Sequence, residues 1–180
     1  MSVREIKIYP DKILRQEARE IENIDSSIND LARDMLETMY KAPGIGLAAN
    51  QVGVDLRLIV VDVAPREDRG KNPIILVNPV IVEREGEIVW EEGCLSVPGM
   101  NAEVERNYRV LVKGFDLNER EVTIEGEELL AVVLQHEIDH LNGVLYFDQL
   151  SRLKKEFFLK SYRKYLREHV DTEKSKRIRV

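Results

Sequence analysis

Between residues 26 and 40, apolar side chains recur with a helical period. Ile28, Leu31, Ala32, Met35, Leu36 and Met39 share one face. Asp25 or Ser26 offers the N-cap, and Pro43-Gly44 the stop. A second helical pattern covers residues 127–141 and ends at Asn142-Gly143; a third covers residues 151–169. A short helix is predicted after Asp11. Strand-like runs rich in Val and Ile lie at 57–63, 74–83, 88–90, 104–115 and 121–124, bounded by Gly, Pro, Asn and Asp. A helix, a block of strands and then helices predict an α+β fold with antiparallel sheets, not an alternating βαβ chain.

Composition narrows the class. With 180 residues, 43% apolar and 33% charged, the chain is sized for one domain with a real core. There is no internal repeat. The longest apolar run is 129–134, far short of the ~18 residues of a membrane span. The first residues are charged and lack an apolar h-region, so no secretory signal is expected. A single cysteine suits a reducing compartment, and a cytoplasmic location is expected. The net charge of −6 hides an asymmetry: residues 152–180 carry eleven basic and four acidic side chains. Such a segment is either a solvated mixed-charge helix or a docking element for an anionic partner such as RNA.

The densest chemistry lies at 135–143, QHEIDHLNG. His136, Glu137 and His140 form H-E-x-x-H. On a helix, two His four apart share a face and reach one metal ion, with Glu137 beside it to handle water. Chance supplies only roughly 0.006 such matches in a chain of this composition.

A catalytic site of this kind needs a third protein ligand. In one common extension a Gly and then a His follow; Gly143 fits, but Tyr146 stands where that His belongs. Glu156, Glu168 and Glu173 are candidates, and Cys94, in EEGCLSVPG, is a better one because thiolate binds such metals strongly. Cys94 also reads as a nucleophile or as an inert buried thiol. Residues 43–51, PGIGLAANQ, lack the spacing of a phosphate loop. Their small side chains permit close backbone approach, or simply a tight turn, and Gln51 offers a side-chain amide donor.

Taken together, GIGLAANQ at 44–51, EGCLS at 92–96 and QHEIDH at 135–140 resemble, in order and separation, the three signature motifs of bacterial peptide deformylase. The N-terminal strand and first long helix look similar too, so the resemblance covers about residues 1–165. It implies a compact single domain in which antiparallel sheets pack around the H-E-x-x-H helix. Residues 1–150 are expected to form the catalytic domain, and 151–180 a basic C-terminal helix and tail of the same unit.

The activity implied is removal of the N-formyl group from the initiator methionine of nascent proteins. Implied ligands are Cys94, His136 and His140, holding one divalent ion: Fe²⁺ in the cell, with Zn²⁺, Ni²⁺ or Co²⁺ able to substitute. Glu137 is the implied general base. The Gln51 side chain and the Leu95 backbone N–H are the implied oxyanion donors. The resemblance also implies a methionine slot lined by Ile45, Trp90, Leu129, Val132 and Val133, and peptide pairing with backbone at Ile45, Gly46 and Gly93. Asn50 replaces a common Pro or Thr, and Trp90 a common smaller aliphatic residue. The basic tail is expected to dock near the ribosomal exit tunnel. A monomer without DNA or membrane partners is expected. Two competing readings are a zincin-like peptidase and a non-enzymatic, metal-stabilised RNA-binding module.

Overall fold

The computed structural model describes residues 2–177, with side chains through His169. Within the basic tail, the side chains of Lys174, Lys176 and Arg177 and the whole of Arg179 lie outside the described residues.

Helix α1 spans Ser26–Lys41. The Asp25 carboxylate caps it, accepting from the N–H groups of Ser27 at 2.9 Å and Ile28 at 3.3 Å. Seven strands follow: β1 (Gly46–Ala48), β2 (Leu58–Val61), β3 (Ile74–Glu85), β4 (Ile88–Cys94), β5 (Val97–Arg106), β6 (Arg109–Phe115) and β7 (Glu121–Glu127). One antiparallel sheet has the order β1-β2-β3-β6-β7; β4 and β5 form a separate hairpin. Helix α2 (Glu128–Leu141) follows β7 directly, and α3 (Arg152–Arg177) closes the chain.

All four residues of β2 are buried, because successive side chains serve opposite faces. Leu58 and Val60 join Met35 and Met39 of α1, whereas Ile59 and Val61 join Leu134 and Ile138 of α2. The sheet thus lies between the two helices. A third cluster unites Val97 and Val104 of β5 with Tyr146, Phe147, and Phe158 and Tyr162 of α3.

The α+β architecture and the positions of α1 and α2 agree with the sequence pattern, and the short helix after Asp11 is a 3-10 turn at Lys12–Arg15. Several local expectations need correction. The run 104–115 is two strands, because Asn107 leaves the ladder: its N–H donates to Gln135 Oε1 at 3.0 Å and its side-chain amide to the Gly86 carbonyl at 3.2 Å. The run at 88–90 continues to Cys94, and β5 begins at Val97 and passes through Pro98 and Gly99, whose φ of +76° needs a residue without Cβ. The glycine-rich segment contributes strand β1. The N-terminal segment is no strand; Lys7 and Tyr9 donate single backbone bonds to the Gln51 and Ser96 carbonyls. Finally, α3 runs on past residue 169.

Candidate metal centre

Helix α2 sets His136 and His140 one turn apart, with ring centroids separated by 5.0 Å. Cys94 arrives from the end of β4, where the hairpin register shifts between Gly93 and Cys94. Its Sγ lies 3.2 Å from His140 Nε2, and one donor atom from each of Cys94, His136 and His140 falls within 4.8 Å of the others. The Ser96 N–H points at the same sulfur from 3.4 Å. Gln51 is buried in the turn after β1. Its Oε1 accepts from the Ala48 N–H at 2.8 Å, which turns Nε2 toward Ser96 Oγ (3.2 Å) and Cys94 Sγ (3.5 Å).

A buried relay orients the first histidine. His136 Nδ1 lies 2.7 Å from Glu92 Oε2, so Nδ1 carries the proton and Nε2 keeps its lone pair for a metal. Arg106 grips Glu92 through Nε (2.7 Å) and Nη2 (3.1 Å), and Asp139 through Nη1 (2.5 Å). Burial alone would raise the Glu92 carboxyl, but hydrogen bonds from His136 and Arg106 hold it below the usual range. Burial keeps His140 neutral, with its pKa well below normal. Asn50 donates its amide to the His140 carbonyl.

Glu137 is 4% exposed. Burial pushes its carboxyl up to about 7. Oε2 has no hydrogen-bond partner among the described residues, an orphaned acceptor of the kind that marks a reactive site. The carboxylate fits only because Gly46 has no side chain: a Cβ there would collide with Oε1 and stand 2.8 Å from Val133 Cγ1.

Cys94, His136 and Glu137 open onto a cleft of about 390 Å³. Ile45, Gly46, Trp90, Gly93, Leu129, Val132 and Val133 all line it, as do Gln51 and Leu95. Every residue expected to touch substrate therefore meets in one place; His140 sits behind, 1% exposed. Tyr146 is not a ligand: it stacks on His136 at 5.9 Å and donates its hydroxyl to the Met100 carbonyl at 2.8 Å. Sequence reasoning missed Glu92, Arg106 and Asp139. A signal existed for two of them, since Glu92 and Asp139 lie inside the motifs themselves.

One thiol and two imidazoles, converging beside an orphaned buried carboxylate and open to a cleft on one side, suit a divalent ion that accepts sulfur and nitrogen and keeps a position free.

Comparison with known proteins agrees with that chemistry. Residues 3–156 match the family model described as polypeptide deformylase. A peptide deformylase of Thermodesulfovibrio yellowstonii is 52% identical over 163 residues, covering 91% of this chain and 98% of that protein. The crystal structure of a peptide deformylase from Legionella pneumophila superposes with a TM-score of 0.87 at 46% identity, covering 94% of this chain and 98% of that one. One from Synechococcus elongatus, in complex with actinonin, gives 0.82 at 42% identity, covering 87% and 86%.

Proposed function

The chain belongs to the polypeptide deformylase family, and from that premise we propose how its own side chains carry the family's reaction. It is a metal-dependent hydrolase that removes the N-formyl group from the N-terminal methionine of nascent proteins, releasing formate. Cys94, His136 and His140 hold the ion, a reading carried by their three donor atoms lying within 4.8 Å beside the cleft. When bound, the ion lowers the pKa of water and polarises the formyl carbonyl.

Glu137 takes the proton of the attacking water and returns one to the leaving amine. Its carboxyl, raised to about 7 by burial, is matched to that two-way transfer near neutral pH. The Gln51 amide and the Leu95 N–H donate to the developing oxyanion; the Ala48 bond that pre-orients Gln51 supports this role. The methionine side chain fills the slot of Ile45, Trp90, Leu129, Val132 and Val133, closed by the His136 ring. Backbone at Ile45, Gly46 and Gly93 pairs with the peptide. This is consistent with β1 at the end of its sheet and with β4 having β5 as its only strand partner among the described residues. Formyl is the smallest acyl group, so a tight site rejects acetyl by clash.

Fe²⁺ is the proposed ion in the cell, on family grounds, and the mixed sulfur and nitrogen donors also suit Zn²⁺, Ni²⁺ and Co²⁺. Residues 1–150 are the catalytic domain; 151–180 belong to the same unit, as the packing of Phe158 and Tyr162 against β5 supports. Exposed Lys160, Arg163, Lys164 and Arg167 on α3 support ribosome docking. A monomer in the cytoplasm is proposed on family grounds.

Formate release from formyl-Met-Ala, compared with acetyl-Met-Ala and unblocked peptide, tests the assignment. Glu137→Gln is expected to retain metal while turnover falls by about 10²–10⁴. Unchanged turnover in that variant overturns the assigned base.

A further inference from the structure

The two histidines of the centre are buttressed unequally. His136 has Glu92 behind it, 2.7 Å from Nδ1. His140 turns Nε2 toward Cys94 Sγ at 3.2 Å, so its Nδ1 lies on the other side of the ring. That atom is buried and has no hydrogen-bond partner among the described residues. A neutral imidazole that offers Nε2 to an ion keeps its single proton on Nδ1. The proton needs an acceptor, because a buried donor left unpaired works against the ring form that carries it.

An acceptor is at hand. Asn50 sits in the 3-10 turn Ala49–Val52, beside Gln51, and is 1% exposed, as is His140. Its Nδ2 donates to the His140 carbonyl. A carbonyl only accepts, so that bond fixes which end of the amide faces it and leaves Oδ1 as an acceptor. Asn50 Oδ1 is likewise buried and unpaired among the described residues. One orphaned donor and one orphaned acceptor thus belong to two residues already in contact. The turn that carries the amide is braced as well, since the Gly53 N–H donates to the Asn50 carbonyl at 3.1 Å. Buried polar groups that lack a direct partner are the setting in which a protein holds a single internal water.

Resting on the proposed ligand set, we propose that Asn50 is a positioning residue for His140: its Nδ2 holds the His140 carbonyl, and its Oδ1 takes the Nδ1 proton through one buried water. Asn50 thereby selects the ring form whose Nε2 is free for the ion. Proline, common at this position by the resemblance, has no amide to offer. The contact therefore tunes how tightly the ion is kept and is no requirement of the reaction. Loss of an outer partner of a ligating histidine weakens metal binding by about 10–100-fold, and an uncharged, water-borne partner belongs at the lower end.

NMR of the zinc-loaded full chain, with labelled histidine nitrogens, provides the test. Zinc is expected to shift the His140 Nε2 resonance. The His140 Nδ1 proton is expected to be visible and slow to exchange with solvent, like that of His136. Asn50→Leu is expected to speed exchange at His140 and spare His136, and to raise the zinc dissociation constant about 10-fold against a competing chelator. Asn50→Thr, which keeps an oxygen acceptor, is expected to retain the slow proton. Unfolding of the metal-free proteins is read alongside. A loss of that stability in Asn50→Leu with zinc affinity and the His140 proton unchanged shows a merely structural role and overturns the proposal. An unshifted Nε2 defeats the ligand set and this proposal with it. A shifted Nε2 beside a fast-exchanging Nδ1 proton in the wild type defeats the role of Asn50 alone.

Discussion

The Glu137 carboxylate rests against the backbone of Gly46, in space that any side chain at that position would take. The strand edge proposed to pair with substrate and the proposed base therefore meet at one point. Gly46→Ala is expected to displace Glu137 and Val133 together and to lower kcat by about 10²-fold or more, the cost of a misplaced general base. Metal content measured beside turnover checks this, because the three proposed ligands lie outside the clash.

Cys94→Ala removes the sulfur that stands 3.2 Å from His140 Nε2. Metal retention after dialysis is expected to fall sharply, read by elemental analysis. Full occupancy with formate release intact contradicts the ligand assignment.

Arg106 is 7% exposed and satisfies two acids at once. Arg106→Met leaves Glu92 buried without its cation. The expected cost is about 3–5 kcal/mol of stability, read by denaturant unfolding of the metal-free protein. Because Glu92 orients His136, metal affinity is expected to fall by about 10–100-fold as well.

Asp148 ties the start of the chain to its end. It accepts from Arg15, from Lys155 at 2.5 Å and from the Leu145 N–H at 2.8 Å. Burial opposes its ionisation, but the bonds from Arg15 and Lys155 prevail and hold its carboxyl below the usual range. A depressed acid stabilises the fold above the unfolded value of about 3.9, and that contribution fades as pH falls through the folded value. Asp148→Asn is expected to lower Tm at neutral pH, with the gap to wild type closing below about pH 4.

Ribosome docking is better tested by charge than by truncation, since removing α3 takes Phe158 and Tyr162 out of the third core cluster. Replacing exposed Lys160, Arg163, Lys164 and Arg167 by Gln is expected to weaken ribosome binding. The salt dependence should flatten by about one unit of slope for each phosphate that is no longer neutralised. An unchanged isotherm removes the docking claim.

Residues that signal locally were legible in the sequence: the period of α1, the paired histidines, and the three short motifs that meet at the cleft. What escaped depends on distant partners. Gly46–Ala48 is a strand because β2 pairs with it, not through any preference of Gly-Leu-Ala. The break at Asn107 comes from Gln135, 28 residues on. Arg106 reads as one more surface cation until the fold sets it between Glu92 and Asp139. The N-terminal strand failed for the same reason: its backbone finds single carbonyls on neighbouring turns, not a ladder.

The two-sided burial of β2 joins two layers of core through one strand. The helix with the two histidines packs on Ile59 and Val61, while Leu58 and Val60 belong to a layer with the adaptable Met35 and Met39. The separation is incomplete, because Leu47 and Ala49 beside Gln51, and Leu95 beside Cys94, pack in the same cluster as Met35 and Met39, so refilling that space for heat resistance also presses on the floor of the cleft.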